Sequence, residues 1–209
     1  TIYSGLQFGY YNRRVLEVRG RPLFIRPQPD LGEEKFRFNW QTPIALSRHN
    51  QDVFYYGSNY FHRSLNKGEN LQKLGADLTK GKREGDVPYG TITSISESPL
   101  KFGLLYAGTD DGNVHISRDG GYTWALISKK LPQHLWVSRV RASQHKEGRV
   151  YVTLNGYRFD HFAPYVFVSE DHGQTWQQLG SNLPNEPVNV VIEDNVFDNI
   201  IYIGTDKGV

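Results

Sequence analysis

The chain has 209 residues, of which 38% are hydrophobic and 13% aromatic, so it can bury a sizeable core. Its formal net charge is only +2, from 24 basic and 22 acidic residues, and no block of Lys and Arg stands out, which argues against nucleic acid as the main partner. No stretch reaches the roughly 18 continuous apolar residues of a membrane span, and no signal segment opens the chain. The absence of Cys excludes disulfides, thiol nucleophiles and cysteine metal sites.

The chain contains no Met and begins with Thr1. Because an intact translation product begins with Met, we expect a processed or excised piece of a longer protein. Residues 201–209 read as a strand, a turn and the start of another strand. We therefore expect the chain to stop within a repeating unit.

In chain order, the predicted elements are short strands that recur in groups. One series of β-rich runs, each with an aromatic residue, stands at 1–5, 53–57, 104–108, 150–154 and 200–204. A second series of short apolar strands precedes the later four runs, at 43–46, 91–95, 137–141 and 188–192. No window shows a sustained 3.6-residue period, and Gly and Pro fall mostly between the runs. The pattern predicts an all-β chain.

An eight-residue phrase follows two of these runs. It reads SRDGGYTW at 117–124 and SEDHGQTW at 169–176, which is 52 positions later, and five positions agree. A weaker copy, SLNKGENL, stands at 64–71, with Asn, Asn and Leu in place of Asp, Thr and Trp. Repetition at a matching spacing indicates a part that builds the fold rather than a single active site.

Units of about 45–50 residues with four strands each predict the blades of a β-propeller. We place full blades at about residues 38–80, 90–131 and 136–184, and partial blades at 1–28 and 186–209. A β-sandwich with coincidental similarity is the alternative. The end pieces either belong to a larger propeller or complete one another, and the sequence leaves both possibilities open.

The phrase Ser-x-Asp-x-Gly-x-Thr-Trp is the Asp-box, and the chain resembles the Asp-box (BNR-repeat) propellers. These include sialidases, the sortilin luminal domain, xyloglucan-cleaving glycosidases and large exported bacterial repeat proteins that are called sortilin-like or glycosyl-hydrolase-like. The sequence around the boxes is most similar to that of the last group, for example at 38–44, 106–112 and 188–194. The resemblance implies boxes between the third and fourth strands, away from the binding face, and an extracellular, periplasmic or cell-surface location; it is weak evidence for function.

The residue types within each box favour a structural turn. The Asp can accept backbone N–H groups of its own turn, and the Trp can fill space between neighbouring sheets. We expect the same role, more weakly, for Asn66. The predicted structural residues of the two full boxes are Ser117, Asp119, Gly121, Thr123, Trp124, Ser169, Asp171, Gly173, Thr175 and Trp176.

In a four-stranded meander the turns between strands two and three lie at the end opposite the boxes. Three such turns, 58–60, 110–112 and 206–208, are predicted to be tight hairpin turns. The fourth connection, 155–164, is predicted to be about ten residues long, and insertions on one face often mark a binding face. The alternative is a loop that anchors on its neighbour blade. The candidate binding residues in this loop are Tyr157, Arg158, Asp160 and His161.

A second polar and aromatic cluster lies at 7–14, in the first unit. If residues 1–5 form a second strand, this cluster begins at the same end of the propeller. Its candidate binding residues are Tyr10, Tyr11, Asn12 and Arg13. Arg139 and Arg141 alternate on a predicted innermost strand, so they either face the central channel or pair with neighbouring carboxylates.

An enzymatic reading has less support. A sialidase-like site needs three arginines, a Tyr nucleophile and an acidic partner, and the segment 23–27 has the Arg and Ile of the sialidase motif exchanged. A xyloglucanase-like site needs two carboxylates across a cleft. Asp160, Asp110 and Asp111 are possible members, but nothing in the sequence pairs them. The seven His residues show no zinc motif, so we predict neither a metal nor a cofactor.

The sequence therefore predicts a non-enzymatic binding or scaffold propeller within a larger exported protein. Its ligand would be a peptide, a protein surface or a glycan, bound by loops opposite the Asp-boxes. Further blades of the same chain or of a partner chain would complete the propeller. The alternative is a sialidase- or xyloglucanase-like glycoside hydrolase with carboxylates partly outside this chain and Asp160 as a weak catalytic candidate.

Overall fold

The computed structural model describes residues 1–16 and 20–209, which form seventeen strands in five antiparallel sheets. Residues 17–19 of the predicted partial blade 1–28 lie outside the described residues. In the described part of the chain the helical elements are two three-residue 3-10 turns, Gln7–Gly9 and Tyr157–Phe159. None of these has the length or apolar character of a transmembrane helix.

The sheets follow one another along the chain. The first contains β1 (Ile2–Gly5), β2 (Tyr11–Arg14) and β3 (Leu23–Ile25). The second contains β4 (Ile44–Leu46), β5 (Phe54–Gly57), β6 (Phe61–Ser64) and β7 (Gln72–Leu74). The third contains β8 (Ile92–Glu97), β9 (Leu105–Thr109), β10 (Val114–Ser117) and β11 (Ala125–Leu126). The fourth contains β12 (Trp136–Ala142), β13 (Val150–Gly156), β14 (His161–Ser169) and β15 (Gln177–Leu179). The fifth contains β16 (Val188–Glu193) and β17 (Ile201–Thr205).

Strands pair in chain order within every sheet, so each four-stranded sheet is a simple meander. The prediction of an all-β chain built from four-stranded units is confirmed. No strand pairing joins β1–β3 to β16–β17 among the described residues. The two end pieces therefore do not complete one another in a shared sheet.

The hydrophobic core lies between neighbouring sheets rather than within one of them. Four buried clusters join the first sheet to the second, the second to the third, the third to the fourth, and the fourth to the fifth. The second strands β5 and β9 are buried at every position because both of their faces are covered, which explains their continuous apolar sequences. Gly108 allows the next sheet to approach β9 closely, because a Cβ there would lie 2.3 Å from the side chain of Val137.

The first strands of the sheets, β4, β8, β12 and β16, are innermost and contact one another across sheet boundaries. Three of them carry a bulge at the same place, with Thr93, Ser138 and Asn189 as the extra residue. The Thr93 hydroxyl donates to the carbonyl of Val137 at 2.7 Å, and the Ser138 hydroxyl donates to the carbonyl of Val188 at 2.7 Å. Two of the bulges thus join β8 to β12 and β12 to β16.

Both Asp-boxes form the turn between the third and fourth strands of their sheets. In the first box, Asp119 Oδ1 accepts the Ser117 hydroxyl at 2.8 Å and the Thr123 N–H at 2.9 Å, and Oδ2 accepts the Thr123 hydroxyl at 2.6 Å. Asp171 makes the same three contacts at 2.7, 2.8 and 2.6 Å. These hydrogen bonds, the Thr hydroxyl foremost, lower the pKa of both carboxyls to about 2.

The tryptophans that end the boxes fill space between sheets. Trp124 donates its ring N–H to the carbonyl of Gly121 at 2.9 Å, and its ring centroid lies 5.0 Å from that of Phe61 in the preceding sheet. Trp176 donates its ring N–H to the carbonyl of Ile127, again in the preceding sheet, at 2.9 Å. The box turns therefore fasten each blade to its neighbour.

The weaker copy at 64–71 folds in the same way. Asn66 Oδ1 accepts the Ser64 hydroxyl at 2.7 Å and the N–H of Asn70 at 3.0 Å. An amide oxygen thus takes the place of the carboxylate oxygen of the full boxes, while Leu71 packs into the cluster that joins the first two sheets.

Candidate functional site

A cavity of about 860 Å³ lies at the end opposite the boxes, where the innermost strands begin. All five sheets or their links contribute to it. Tyr11 comes from β2, and residues 39–44 form the link into β4. Residues 93–95 and 136–139 belong to β8 and β12, and the hairpin 155–158 forms part of the rim. Asn189 and Asp206 complete the lining from the fifth sheet.

The connection at 155–164 is shorter than the predicted ten-residue loop. β13 continues to Gly156 and β14 begins at His161, so only residues 157–160 connect the strands. Residues 161–164 belong to β14, because the alternating aromatic sequence that follows prolongs the hairpin. The strand pairing shifts register between Leu154 and Gly156. This part of the rim of the cavity is therefore a short hairpin tip.

A chain of hydrogen bonds runs across the cavity between the fourth and fifth sheets. The Asn155 amide donates to Asn189 Oδ1 at 2.8 Å, and the Asn189 amide donates to Asp206 Oδ1 at 2.7 Å. The Tyr157 N–H donates to Asn155 Oδ1 at 2.8 Å, which fixes the start of the chain. Asp206 Oδ2 has no protein partner among the described residues, so one carboxylate oxygen remains available to a ligand.

Aromatic and cationic groups stand beside this chain. The Arg158 guanidinium lies 5.3 Å from the Trp136 ring and donates to Asp86 Oδ2 at 3.1 Å and to the Tyr89 hydroxyl at 3.3 Å. The hydrogen bond from Tyr89, and then that from Arg158, keep the pKa of Asp86 below its usual range. Arg158 is thus held in place over an aromatic face, and Tyr157 is 62% exposed at the rim.

Cationic charge continues down the innermost strand β12. Arg139 lines the cavity and is exposed to it. Burial lowers the pKa of Arg141, and the charges of Arg48 and Arg139 lower it further. Arg139 and Arg141 therefore lie close enough for their charges to interact, and Arg139 lies in the cavity.

The predicted binding residues separate into two groups. Tyr11, Tyr157 and Arg158 line the cavity together, although Tyr11 lies far from the other two in the sequence. Asp160 does not line it; it ends the 3-10 turn with φ +53° and donates its N–H to the carbonyl of Tyr157 at 3.2 Å. His161 also lies outside the lining and stacks on Tyr165 at 5.5 Å.

The other three candidates of the cluster at 7–14, Tyr10, Asn12 and Arg13, lie outside the lining of the cavity. Arg13 donates to the carbonyl of Lys67 at 3.1 Å and to Glu69 at 2.7 Å, so it reaches the box-like turn 64–71. Asn12 stands between Tyr11 and Arg13 on β2 and is outside the lining. Tyr11 is the member of this cluster at the cavity, where its hydroxyl donates to the carbonyl of Thr42 at 2.5 Å.

The acidic turn 110–112 performs a structural task. Asp110 is buried and accepts the N–H groups of Gly90 and Thr91 and the Thr91 hydroxyl, at 3.1, 3.1 and 2.8 Å. Burial raises its pKa to about 6. Asp111 accepts the N–H of Lys80 at 2.6 Å. Both carboxylates hold links between blades and lie outside the lining of the cavity.

Sequence reasoning did not single out Trp136, Asn155 or Asn189 as site residues and treated Asp206 only as part of a turn. A signal for Trp136 and Asn189 was present: each stands at the beginning of an innermost strand, at the end opposite the boxes. In the part of the chain that the structure describes, no three His, Asp or Glu side chains are grouped so that they could hold a metal ion.

The meandering sheets, the inter-sheet core and the repeated box turn define an Asp-box β-propeller. The model of the BNR/Asp-box repeat matches residues 167–178, which contain the second box. The chain is accordingly a β-propeller that contains a BNR/Asp-box repeat, as its sequence predicts. None of the curated proteins matches the chain in sequence.

Solved structures with the same fold include glycosidases and a coat protein. An ancestral GH74 enzyme is 21% identical with a TM-score of 0.63, over 80% of this chain and 22% of its own. The GH74 xyloglucanase from Xanthomonas campestris is 16% identical with a TM-score of 0.64, over 97% and 31%. A chain of the COPII outer coat vertex on membranes is 10% identical with a TM-score of 0.61, over 97% and 52%. The chain thus spans about a fifth to a third of the length of the two enzymes, and the likeness shows the fold.

Proposed function

We propose that this propeller is a glycan-binding module of an exported protein and that the cavity opposite the Asp-boxes is its binding site. The observation that carries the proposal is the hydrogen-bonded chain Asn155–Asn189–Asp206 beside Trp136 and Tyr157. Planar amide and carboxylate groups can pair with neighbouring hydroxyls of a sugar, and aromatic faces can cover its apolar face. A concave site with a few fixed polar groups among rings is typical of a small-molecule or sugar site.

The hydrogen bonds among Asn155, Asn189 and Asp206 also favour ligand binding without rearrangement of the site. Each member is fixed by another protein group, because Tyr157 N–H holds Asn155, Asn155 holds Asn189, and Asn189 holds Asp206. A preformed set of polar groups avoids the cost of ordering side chains when the ligand arrives. The proposed mechanism is therefore plain recognition by a rigid site, without a chemical step.

The test is titration calorimetry of the chain with two probes, neutral xyloglucan oligosaccharides and acidic oligogalacturonates. We expect at least one probe to bind and Asn189→Ala to weaken that binding about tenfold, because two hydrogen bonds of the chain are lost. Asn12→Ala is the matched control, because it removes the same type of side chain from a position outside the lining of the cavity. Equal affinities of the wild type and Asn189→Ala would contradict the proposal.

Glycoside hydrolysis is the competing outcome of the same experiment. It requires two carboxylates across the cleft, and Asp206 is the carboxylate that the described lining provides. Release of new reducing ends from either probe, abolished by Asp206→Asn, would overturn the proposal of binding alone. Release abolished by Asp160→Asn instead would move the active site to the hairpin tip.

A further inference from the structure

A second cavity, of about 460 Å³, lies beside the first one. It is lined by residues from the first sheet, from the link into β4 and from the loop 82–90. Phe8, Phe36 and Phe38 supply aromatic surface, and the charged residues of the lining are mostly basic. The proposed function does not use this cavity.

Arg26 is a cation of this second cavity that aromatic rings hold in place. Its guanidinium lies 4.4 Å from the centre of the Tyr10 ring and 4.2 Å from that of the Phe38 ring, so it is held between two aromatic faces. Its Nε donates to the carbonyl of Phe8 at 3.3 Å. The two terminal nitrogens form no hydrogen bond to another described residue, which leaves the two-pronged edge of the guanidinium for an anion.

The remaining charges of the cavity add to a basic excess. Arg37 is neutralised by Asp77 at 2.6 Å. Lys35 and Lys82 are exposed and pair with no carboxylate among the described residues, and Glu34 is the acidic member of the lining. Three unneutralised cations therefore face one carboxylate in a chain whose total net charge is only +2. This local concentration favours an anionic ligand.

The two cavities share two segments of the chain in their walls. Phe38 lines the second and the next residue, Asn39, lines the first. The loop 82–90 also serves both, because Lys82 lines the second cavity while Tyr89 holds Arg158 of the first. Trp40 follows Asn39 in the same link, is 51% exposed and packs its ring edge-on against Phe8 of the second cavity, with 5.2 Å between the ring centroids.

From these contacts we infer that the ligand of the propeller is an acidic polysaccharide, with a uronate carboxylate in the second cavity. One sugar unit occupies the main cavity, the chain crosses the link at Trp40, and a carboxylate further along meets Arg26, Lys35 and Lys82. Because the proposed ligand of the main cavity is a glycan, a sugar polymer that extends into the second cavity is favoured over an acidic peptide. The inference rests on the proposed function of the main cavity.

The test uses the whole chain and three probes in titration calorimetry: an oligogalacturonate, its fully methyl-esterified form, and an oligoglutamate of similar charge. We expect the oligogalacturonate to bind most tightly, with an affinity that falls as salt rises. The double variant Lys35→Gln/Lys82→Gln should weaken its binding about fivefold. The matched control is Lys129→Gln/Lys130→Gln, which removes two exposed charges from a link outside both cavities and should leave the affinity unchanged.

The outcomes separate the two claims. Equal affinity for the oligogalacturonate and its ester, or equal losses in both double variants, would overturn the inference while leaving the main cavity in place. Tighter binding of the oligoglutamate, with the same dependence on Lys35 and Lys82, would replace the polysaccharide with an acidic peptide and so overturn it as well. Oligogalacturonate binding that depends on Lys35 and Lys82 but not on Asn189 would support the anion site and contradict the proposed role of the main cavity.

Discussion

The two ends of this propeller use repetition in opposite ways. At the box end, Asp119 and Asp171 make the same three contacts with distances that agree within 0.1 Å, and Asn66 reproduces part of the pattern. At the cavity end, the equivalent bulge positions Thr93 and Ser138 join neighbouring strands, but Asn189 turns to Asn155 and Asp206. The features that recur from blade to blade hold the fold, and we propose that the divergent contacts of Asn189 mark the binding site.

The largest expected effect tests whether the box end is purely structural. Gly121 has φ +101°, and a Cβ on it would lie 2.7 Å from the Phe61 ring. We expect Gly121→Ala to lower the free energy of unfolding by about 2–4 kcal/mol, from backbone strain and overpacking together. Urea denaturation measures it. Gly20→Ala is the control, because open space surrounds that position; equal losses in both variants would show that the box glycine has no special role.

A pair of tryptophans compares the two ends directly. Trp124 fills space between blades, so we expect Trp124→Ala to cost about 3 kcal/mol of stability and to leave glycan affinity unchanged. Trp136 lines the cavity, so Trp136→Ala should reduce affinity about tenfold or more while stability falls less than in Trp124→Ala. Denaturation and calorimetry on both variants give the four values. A loss of affinity in Trp124→Ala, without unfolding, would remove the distinction between the ends.

The exchange of one bulge residue sharpens the comparison within the cavity. Asn189→Ser gives the fifth sheet the residue that Ser138 has in the fourth, which keeps a small polar group but breaks the chain to Asp206. We expect about tenfold weaker glycan binding in calorimetry with little change in stability. Asn12→Ser is the control, because it makes the same exchange at a residue outside the lining of the cavity. Unchanged affinity in Asn189→Ser would mean that the divergent bulge does not mark the site.

Acid pH should weaken the box end selectively. Asp119 and Asp171 have a folded-state pKa of about 2, below the ordinary Asp value near 4. A lowered folded-state pKa gives stability that is complete above pH 4 and is lost as pH falls towards 2. The variant Asp119→Asn/Asp171→Asn should therefore be less stable at neutral pH, but its melting temperature should fall less between pH 4 and pH 2.5. If the melting temperatures of the variant and the wild type fell equally between pH 4 and pH 2.5, this role of the two carboxylates would be contradicted.

The smallest effect concerns one of the three variable positions of the box turn. His172 has φ +63° where the first box has Gly120 at φ +76°. Glycine adopts this conformation without steric cost, so we expect His172→Gly to raise the free energy of unfolding by about 0.5–1 kcal/mol. The loss of the contact between His172 and Glu147 at 3.8 Å offsets part of the gain. A clear destabilisation in urea denaturation would show that this contact outweighs the backbone strain.

The sequence predicts the box end better than the cavity end for a physical reason. Each box is held by contacts between residues two to four positions apart, such as Ser117 to Asp119 and Thr123 to Asp119. A segment of eight residues therefore contains all the groups that form the turn. The cavity depends on pairs that the fold brings together, such as Asn155 and Asn189, which are 34 positions apart. Tyr157 and Arg158 were found because their hairpin differs from its counterparts, whereas Asn189 differs by one residue in a strand.

Glycan binding at the end opposite the boxes is the central property proposed for this protein. Hydrogen–deuterium exchange of the chain with and without saturating oligogalacturonate tests this directly, because it reports on both ends in one experiment. We predict slower exchange at 136–139 and 155–158, with no change at 117–124 and 169–176. Slower exchange at the boxes, with the cavity segments unchanged, would contradict the account.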